Sequence, residues 1–155
     1  MKFHKPEREP TGGNFLKIGD GKSIIGVFRG DPYIYYQVFE NGRYQVVPST
    51  DANGKFAFKI NFIIKDGDAL VSKIFQGNYY DYQALMDLHE EFDLEKIYVQ
   101  ISQTGERQSK RMSYMPKTKQ KPDEKKLASV TLVEFGQKQS EENNESGDFD
   151  SELPF

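Results

Sequence analysis

Residues 55–65 read KFAFKINFIIK. The even positions Phe56, Phe58, Ile60, Phe62 and Ile64 are all apolar, whereas the odd positions hold Lys55, Ala57, Lys59, Asn61, Ile63 and Lys65. A period of two marks a strand with one face in a core. The opposite face then presents Lys55, Lys59 and Lys65 along one line. Cations spaced this way roughly match a nucleic-acid backbone. The plainer alternative is a solvated outer face whose lysines discourage edge pairing.

Working outward, NFLKIGDGKSIIGVFRGDPYIYYQVF (14–39) gives three short β-type runs broken by turns at Gly19-Asp20-Gly21 and Gly30-Asp31-Pro32. Asn41-Gly42 and Asn53-Gly54 are both hairpin signals. Downstream, a second strand follows the turn at Lys65-Asp66-Gly67-Asp68. NYYDYQALMDLHEEF (78–92) is the one clear helix: Tyr82, Leu85, Leu88 and Phe92 recur at three- and four-residue spacing with acids between them. A further strand places Ile97, Val99 and Ile101 on one side, and Arg107–Met115 fits as its hairpin partner after Thr104-Gly105. KTKQKPDEKK is a basic linker, and LASVTLVEF (127–135) fits either a short helix or a final strand. The expectation is a mainly β chain: a five-stranded Greek-key OB-fold barrel with one helix between strands 4 and 5. The open face and loops of that fold bind oligonucleotides. The barrel is expected over residues 14–135, between a flexible N-terminal arm (1–13) and a disordered acidic tail (136–155).

Twelve Phe and nine Tyr with no Trp exceed what a small core needs, so some rings are expected at the surface. The absence of Cys excludes disulfides, thiol chemistry and Cys-ligated zinc, and suits a reducing compartment. The only two His, His4 and His89, leave little for a His-based metal site or triad. No apolar run reaches membrane-spanning length and Met1–Pro10 has no apolar stretch, so a soluble cytoplasmic protein without membrane contact is expected. The net charge of −3 is unevenly placed. Gly136–Phe155 carries Lys138 against six acids, a net −5, which leaves Met1–Phe135 at +2. Such asymmetry points to a nucleic-acid partner or an interaction tail.

Arg29, Arg43 and Lys73 are interleaved with Tyr33, Tyr35, Tyr36, Tyr44, Tyr79, Tyr80 and Tyr82. A core cannot hold that many phenols without partners for their hydroxyls. Tyr33, Tyr35 and Phe39 share one strand face and are candidates to stack on bases, with Tyr80 beside them; Ile34, Tyr36 and Val38 share the other face and resemble core. Candidate phosphate contacts are Arg29, Arg43, Lys55, Lys59, Lys65 and Lys73. The run ERQSKRMSYMPKTKQK extends the path through Arg107, Lys110, Arg111, Lys117 and Lys119, with Tyr114 stacking. Basics mixed with aromatics, and no base-reading helix, favour single strands over duplex. The competing explanation is that the rings cover the barrel mouth or form a dimer interface.

Enzyme motifs fail on inspection. Gly19–Ser23 resembles the end of a P-loop, but the required earlier Gly is Leu16 and no helix pattern follows. Asp51–Lys55 starts like a calcium loop without its later acid. Asp66 and Asp68 flank a turn glycine, and no Ser/His/Asp set is suggested. No catalytic residue, metal site or cofactor is expected, and the chain is expected not to be an enzyme.

The tail ends in SGDFDSELPF. A tail kept only for solubility gains nothing from Phe149, Leu153, Pro154 and Phe155; a ring beside a carboxylate suits an apolar pocket rimmed by cations. DFDSELPF resembles the tip of bacterial single-stranded DNA-binding proteins (SSB), which reads roughly Asp-Phe-Asp-Asp-Asp-Ile-Pro-Phe. Asp148, Phe149, Asp150, Pro154 and Phe155 match, Leu153 stands in for Ile, Glu152 keeps an acid, and Ser151 departs from the pattern. The resemblance implies that the tip recruits replication, recombination and repair proteins. GDGKSIIGVFRGDPYIYYQVFENGR and FDLEKIYVQISQTGE, within Phe15–Pro116, resemble instead a group of bacteriophage and prophage OB-fold proteins thought to bind single-stranded DNA. Some members carry Cys pairs after the second strand; PSTDANGK stands there in this chain, so no zinc is implied. The expected function is sequence-nonspecific protection of single-stranded DNA, as a monomer or a β-paired homodimer, in the host bacterial cytoplasm. The rivals are an adaptor barrel that binds protein without DNA, a nuclease with an unrecognised site, and an RNA-binding barrel.

Overall fold

The computed structural model describes residues 14–135. The chain is mainly β, with six antiparallel strands in one sheet and two helices. In chain order the elements are β1 (Ser23–Glu40), β2 (Arg43–Val47), β3 (Lys55–Asp66), β4 (Ala69–Gly77), α1 (Tyr79–Phe92), β5 (Tyr98–Thr104), β6 (Arg111–Lys117) and α2 (Glu124–Ala128). The sheet runs β4-β3-β1-β5-β6, with β2 attached to β1 off that path. There are six strands rather than the expected five, and β4 and β6 end the path without pairing with each other, so the sheet is open. The helix falls between β4 and β5, as its sequence position implied.

The sixth strand, β2, pairs with β1, which is longer than its sequence suggests. Gly30-Asp31-Pro32 does not turn the chain. β1 continues through it for 18 residues, with a register shift against β3 between Arg29 and Tyr33. Gly30 sits at φ +80, the left-handed conformation that a bulge of this kind uses, and Pro32 falls where the ladder asks for no N–H. One long strand can therefore serve three neighbours: β5 through Ser23–Gly26, β3 through Val27–Gln37, and β2 through Tyr36–Glu40.

Asn41-Gly42 forms the expected two-residue hairpin, both residues at positive φ (54 and 80), joining β1 to β2 as a projecting arm. Asn53-Gly54 does not. β2 and β3 both pair with β1, not with each other, and Asn53 instead donates its N–H to the Asp51 side chain at 2.8 Å in a local turn. The first expected run is no strand either: Phe15 makes a single parallel bridge to Ile74, capping the outer edge of β4. Leu127–Phe135 is neither a full helix nor a strand; α2 stops at Ala128, a turn follows at Ser129 and Val130, and the chain beyond is irregular.

The main core lies between one sheet face and α1. Phe28, Phe58, Ile60, Phe62, Phe75, Val99 and Ile101 meet Leu85, Leu94 and Ile97 there. The even positions of β3 point inward, as their period required. Gly26 is obligatory where β1 passes close to β3, since a Cβ would lie 2.4 Å from the Ile63 carbonyl oxygen. A capping box starts α1: Asn78 Oδ1 accepts from Asp81 N–H and Asp81 Oδ2 from Asn78 N–H, each at 3.0 Å. No helix among the described residues is long and apolar enough to cross a membrane.

Candidate nucleic-acid interface

The face of the sheet opposite the core carries the odd residues of β3 and their register partners. Val27, Arg29, Tyr33, Tyr35 and Gln37 of β1 lie opposite Ile63, Asn61, Lys59, Ala57 and Lys55. β4 adds Gln76 beside Lys59. This outer face divides into a covered end and an open end.

At the covered end, α2 and the chain after it lie across the sheet. Leu127 joins Val27 and Ile63 in a second small core, flanked by Leu70, Tyr98, Val130 and Leu132. Asn61 clamps this strap. Its Nδ2 donates to the Val133 carbonyl at 3.0 Å, and its Oδ1 accepts from Val133 N–H and Ser72 Oγ, both at 2.7 Å. Arg29 donates two bonds to the Glu124 carboxylate, at 2.9 and 3.0 Å, and one to the Glu95 carbonyl. The hydrogen bond to Glu124 raises the Arg29 pKa, and the same pair holds the Glu124 carboxyl below its ordinary value. Arg29, a candidate for phosphate, is thus committed to the protein itself. Lys65 is exposed at the far end of β3, cut off from Lys55 and Lys59 by the strap. The continuous lysine row expected from the sequence is interrupted.

At the open end, Tyr33 and Tyr35 lie 6.0 Å apart between ring centroids, their planes 25° from parallel, and Phe135 at the end of the strap lies 6.3 Å from Tyr33. Lys59 Nζ sits 5.2 Å from the Tyr35 centroid and 5.7 Å from that of Phe15. Burial lowers the Lys59 pKa, because it penalises the ammonium form. Tyr35 is only 8 % exposed, accepts a hydrogen bond from Gln76 Nε2, and its phenol is pushed up to about 12, chiefly by burial. The structure therefore makes Tyr35 the floor of the aromatic row rather than a free stacking ring. Tyr33 stays partly exposed, and burial raises its pKa as well.

The row continues onto the β1–β2 arm. Phe39 (61 % exposed) and Tyr44 (66 %) pack edge to face at 4.9 Å directly across the hairpin, beside exposed Val46; Arg43, opposite Glu40, lies on the other face of the arm. Tyr44 can be found from sequence by closing the hairpin at Asn41-Gly42: a two-residue loop pairs residue 40 with 43 and residue 39 with 44. Phe15, Phe135 and Asn61 have no such local signal, because their partners lie far away in the chain.

From the base of the arm, ring contacts run Tyr36–Phe56 (5.9 Å), Phe56–Tyr79 (5.5 Å) and Tyr79–Tyr80 (6.2 Å). Tyr80, 78 % exposed, lines a groove of about 690 Å³ with Lys110, Arg111 and Tyr114. Lys110, Arg111 and Arg107 belong to the β5–β6 loop and its edge, and all three are exposed. Tyr114 departs from its expected role. Its ring packs on Phe75, its hydroxyl donates to Asp81 Oδ1 at 2.7 Å, and burial raises its pKa far above the usual phenol range. Lys73 sits opposite Phe62, in the row facing the core rather than in the Lys59 row. Lys117 is half-buried and Lys119 exposed beyond β6. The tip residues Asp148, Phe149, Asp150, Glu152, Leu153, Pro154 and Phe155 lie outside the described residues.

The structure thus brings Tyr33, Phe39, Lys55 and Lys59 together on one face and arm, leaves Arg43 on the other face of the arm opposite Glu40, and gathers Tyr80, Lys110 and Arg111 in a neighbouring groove. It separates Arg29, Lys65 and Lys73 from them, while Tyr114 lines the groove with its hydroxyl committed to Asp81. Comparisons with protein-family models, curated proteins and solved structures give no match to this chain.

Proposed function

We propose that this chain binds single-stranded DNA with little sequence preference, as a bacteriophage-type protein, and recruits replication and recombination proteins through its C-terminal tip. The observation that carries this reading is the open row of rings from Tyr33 to Phe39 and Tyr44, flanked by Lys59 and Lys55 on the same face. Rings accept any base by stacking, and cations beside them follow a backbone. Without β2, the strand order has the sequence of an OB-type barrel. In such a barrel the first-to-second-strand connection and the last hairpin loop frame the ligand face. Here those positions are the β1–β2 arm and the β5–β6 loop with Arg107, Lys110 and Arg111. The open sheet is in keeping with the partly open form of that barrel.

The tail, net −5, competes with DNA for the same cations. The test is fluorescence anisotropy of a labelled oligo-dT at low and high salt, with the full chain and a variant ending at Phe135. Salt-sensitive binding that tightens on truncation supports the reading, most visibly at low salt. Binding of neither form moves the exposed arm to the adaptor reading, and a preference for oligo-U moves it to RNA. Phe155→Ala is expected to spare DNA binding and weaken partner recruitment.

A further inference from the structure

On the core side of the sheet, the β1 bulge, β3 and α1 enclose a cavity of about 450 Å³. Its floor is apolar: Phe28, Phe58, Ile60 and Leu85. Its rim is acidic: Asp31 on the bulge, Asp87 and Glu90 on α1, and Glu95 beyond it. Among the described residues no lysine or arginine lines it. Glu95 Oε2 accepts the Gly30 N–H at 2.9 Å, which fixes the bulge as one wall. Met86, half exposed, stands at the mouth. A nucleic-acid backbone would be repelled here, so this cavity is no part of the proposed DNA path.

We propose that this cavity is the docking site of the chain's own N-terminal segment, with the Phe3 ring inside and Lys2 and Lys5 on the carboxylate rim. Charge selects between the two ends of the sequence. Lys2–Arg8 holds Lys2, Lys5 and Arg8 against Glu7, a net +2 around Phe3, whereas the other terminal aromatics, Phe149 and Phe155, lie in a segment of net −5 that the rim repels. Reach is sufficient. Asn14 is fixed at the edge of β4, its carbonyl accepting from Ile74 N–H at 2.7 Å. Eleven residues back from there, extended chain spans about 36 Å. A domain of this size has a radius of gyration of about 14 Å. Phe58 and Ile60 of the floor lie on β3, the strand paired to β4. Exposed ion pairs contribute little each, so the buried ring supplies the affinity and the carboxylates the selection.

The absence of Cys permits a clean test on the full chain. A nitroxide on Pro6→Cys leaves Lys2, Phe3 and Lys5 in place. In ¹⁵N-labelled protein, the amide signals of Asp31, Met86, His89 and Glu90 are expected to lose at least twofold more intensity than those of Gly67, Asp68 or Gln108. Phe3→Ala, or Asp87→Lys with Glu90→Lys at exposed positions, should restore them without shifting the core signals. Even broadening over the surface, or broadening that survives Phe3→Ala, overturns the proposal. So does broadening seen only when spin-labelled unlabelled-isotope chain is mixed with unmodified ¹⁵N chain, which would assign the cavity to a second copy. Oligo-dT is absent from every sample, so the result is independent of whether the chain binds DNA.

Discussion

At the Val27–Ile63 end of the outer face the chain covers its own sheet; at the Tyr33–Tyr44 end it leaves rings and cations open. Both ends are built from the same strands, β1 and β3, in the same alternation. They differ in what lies above them. Leu127, Val130 and Leu132 supply an apolar lid at the first end, and Asn61 hydrogen-bonds the lid's backbone at Val133. The strap's last described residue, Phe135, reaches Tyr33 and there joins the open row. An apolar sheet face needs a partner. The covered end has one in the same chain, so its residues serve stability. The open end offers flat rings beside cations, the chemistry of a stacked, charged ligand.

The sharpest way to break this comparison is stability. Leu127→Ala at the covered end is expected to cost about 2–5 kcal/mol, the range for emptying a buried leucine site. Phe39→Ala at the open end is expected to cost less than about 0.5 kcal/mol, as for an exposed side chain. Urea denaturation of both variants measures the difference. Equal losses would mean that the arm is also part of the folded core.

Binding should show the reverse order. Phe39→Ala and Tyr44→Ala are each expected to weaken oligo-dT binding by about 1–3 kcal/mol, the worth of a stacked base. Arg29→Gln should leave the affinity nearly unchanged, because that guanidinium is spent on Glu124. An anisotropy titration in which Arg29→Gln is the more damaging change would transfer the site to the covered end.

How much of this was visible in the sequence depends on the range of each contact. The inward face of β3, the Asn41-Gly42 hairpin and α1 are local patterns, and all three are legible. Gly30-Asp31-Pro32 misleads because the residues that favour a turn also favour a bulge, and only pairing with β3 on both sides of it decides between them. Asn61 looked like part of a polar face because its partner, Val133, lies 72 residues away. Arg29 looked free because Glu124 lies 95 residues away. Lys59 followed the strand period correctly, yet Phe15 and Tyr35 close over it, which the period cannot convey.

Salt dependence sharpens the division along β3 itself. Lys55→Gln, at the open end, is expected to lower the slope of log K against log salt by about 0.7, one phosphate contact on a single strand. Lys65→Gln, beyond the strap, should leave the slope as it was. Equal reductions would show that DNA crosses or displaces the strap, and the two ends would then be one surface.

The smallest effect is alkaline and concerns Lys59 and Tyr35 together. Burial lowers the Lys59 pKa below its unfolded value of 10.5, so in that window the unfolded chain holds more protons than the folded one. Stability should therefore rise with pH from the depressed Lys59 pKa up to about 10.5. Tyr35 acts in the opposite direction: raised from 10.0 to about 12, its phenol contributes stability that is full below 10 and lost as pH climbs through 12. Lys59→Met should abolish the rise, Tyr35→Phe should soften the fall, and thermal melts between pH 8 and 12 follow both. Lys59→Met also weighs two forces on one ammonium. Cation–π attraction to Tyr35 and Phe15 favours the charge by about 0.5–2 kcal/mol, and desolvation, the cause of the lowered pKa, opposes it; the expectation is that desolvation wins. Lys59→Met should then be the more stable protein at neutral pH and the weaker DNA binder. A less stable Lys59→Met would mean that the rings hold the ammonium more tightly than water does, and that the open end is organised around its cation before any ligand arrives.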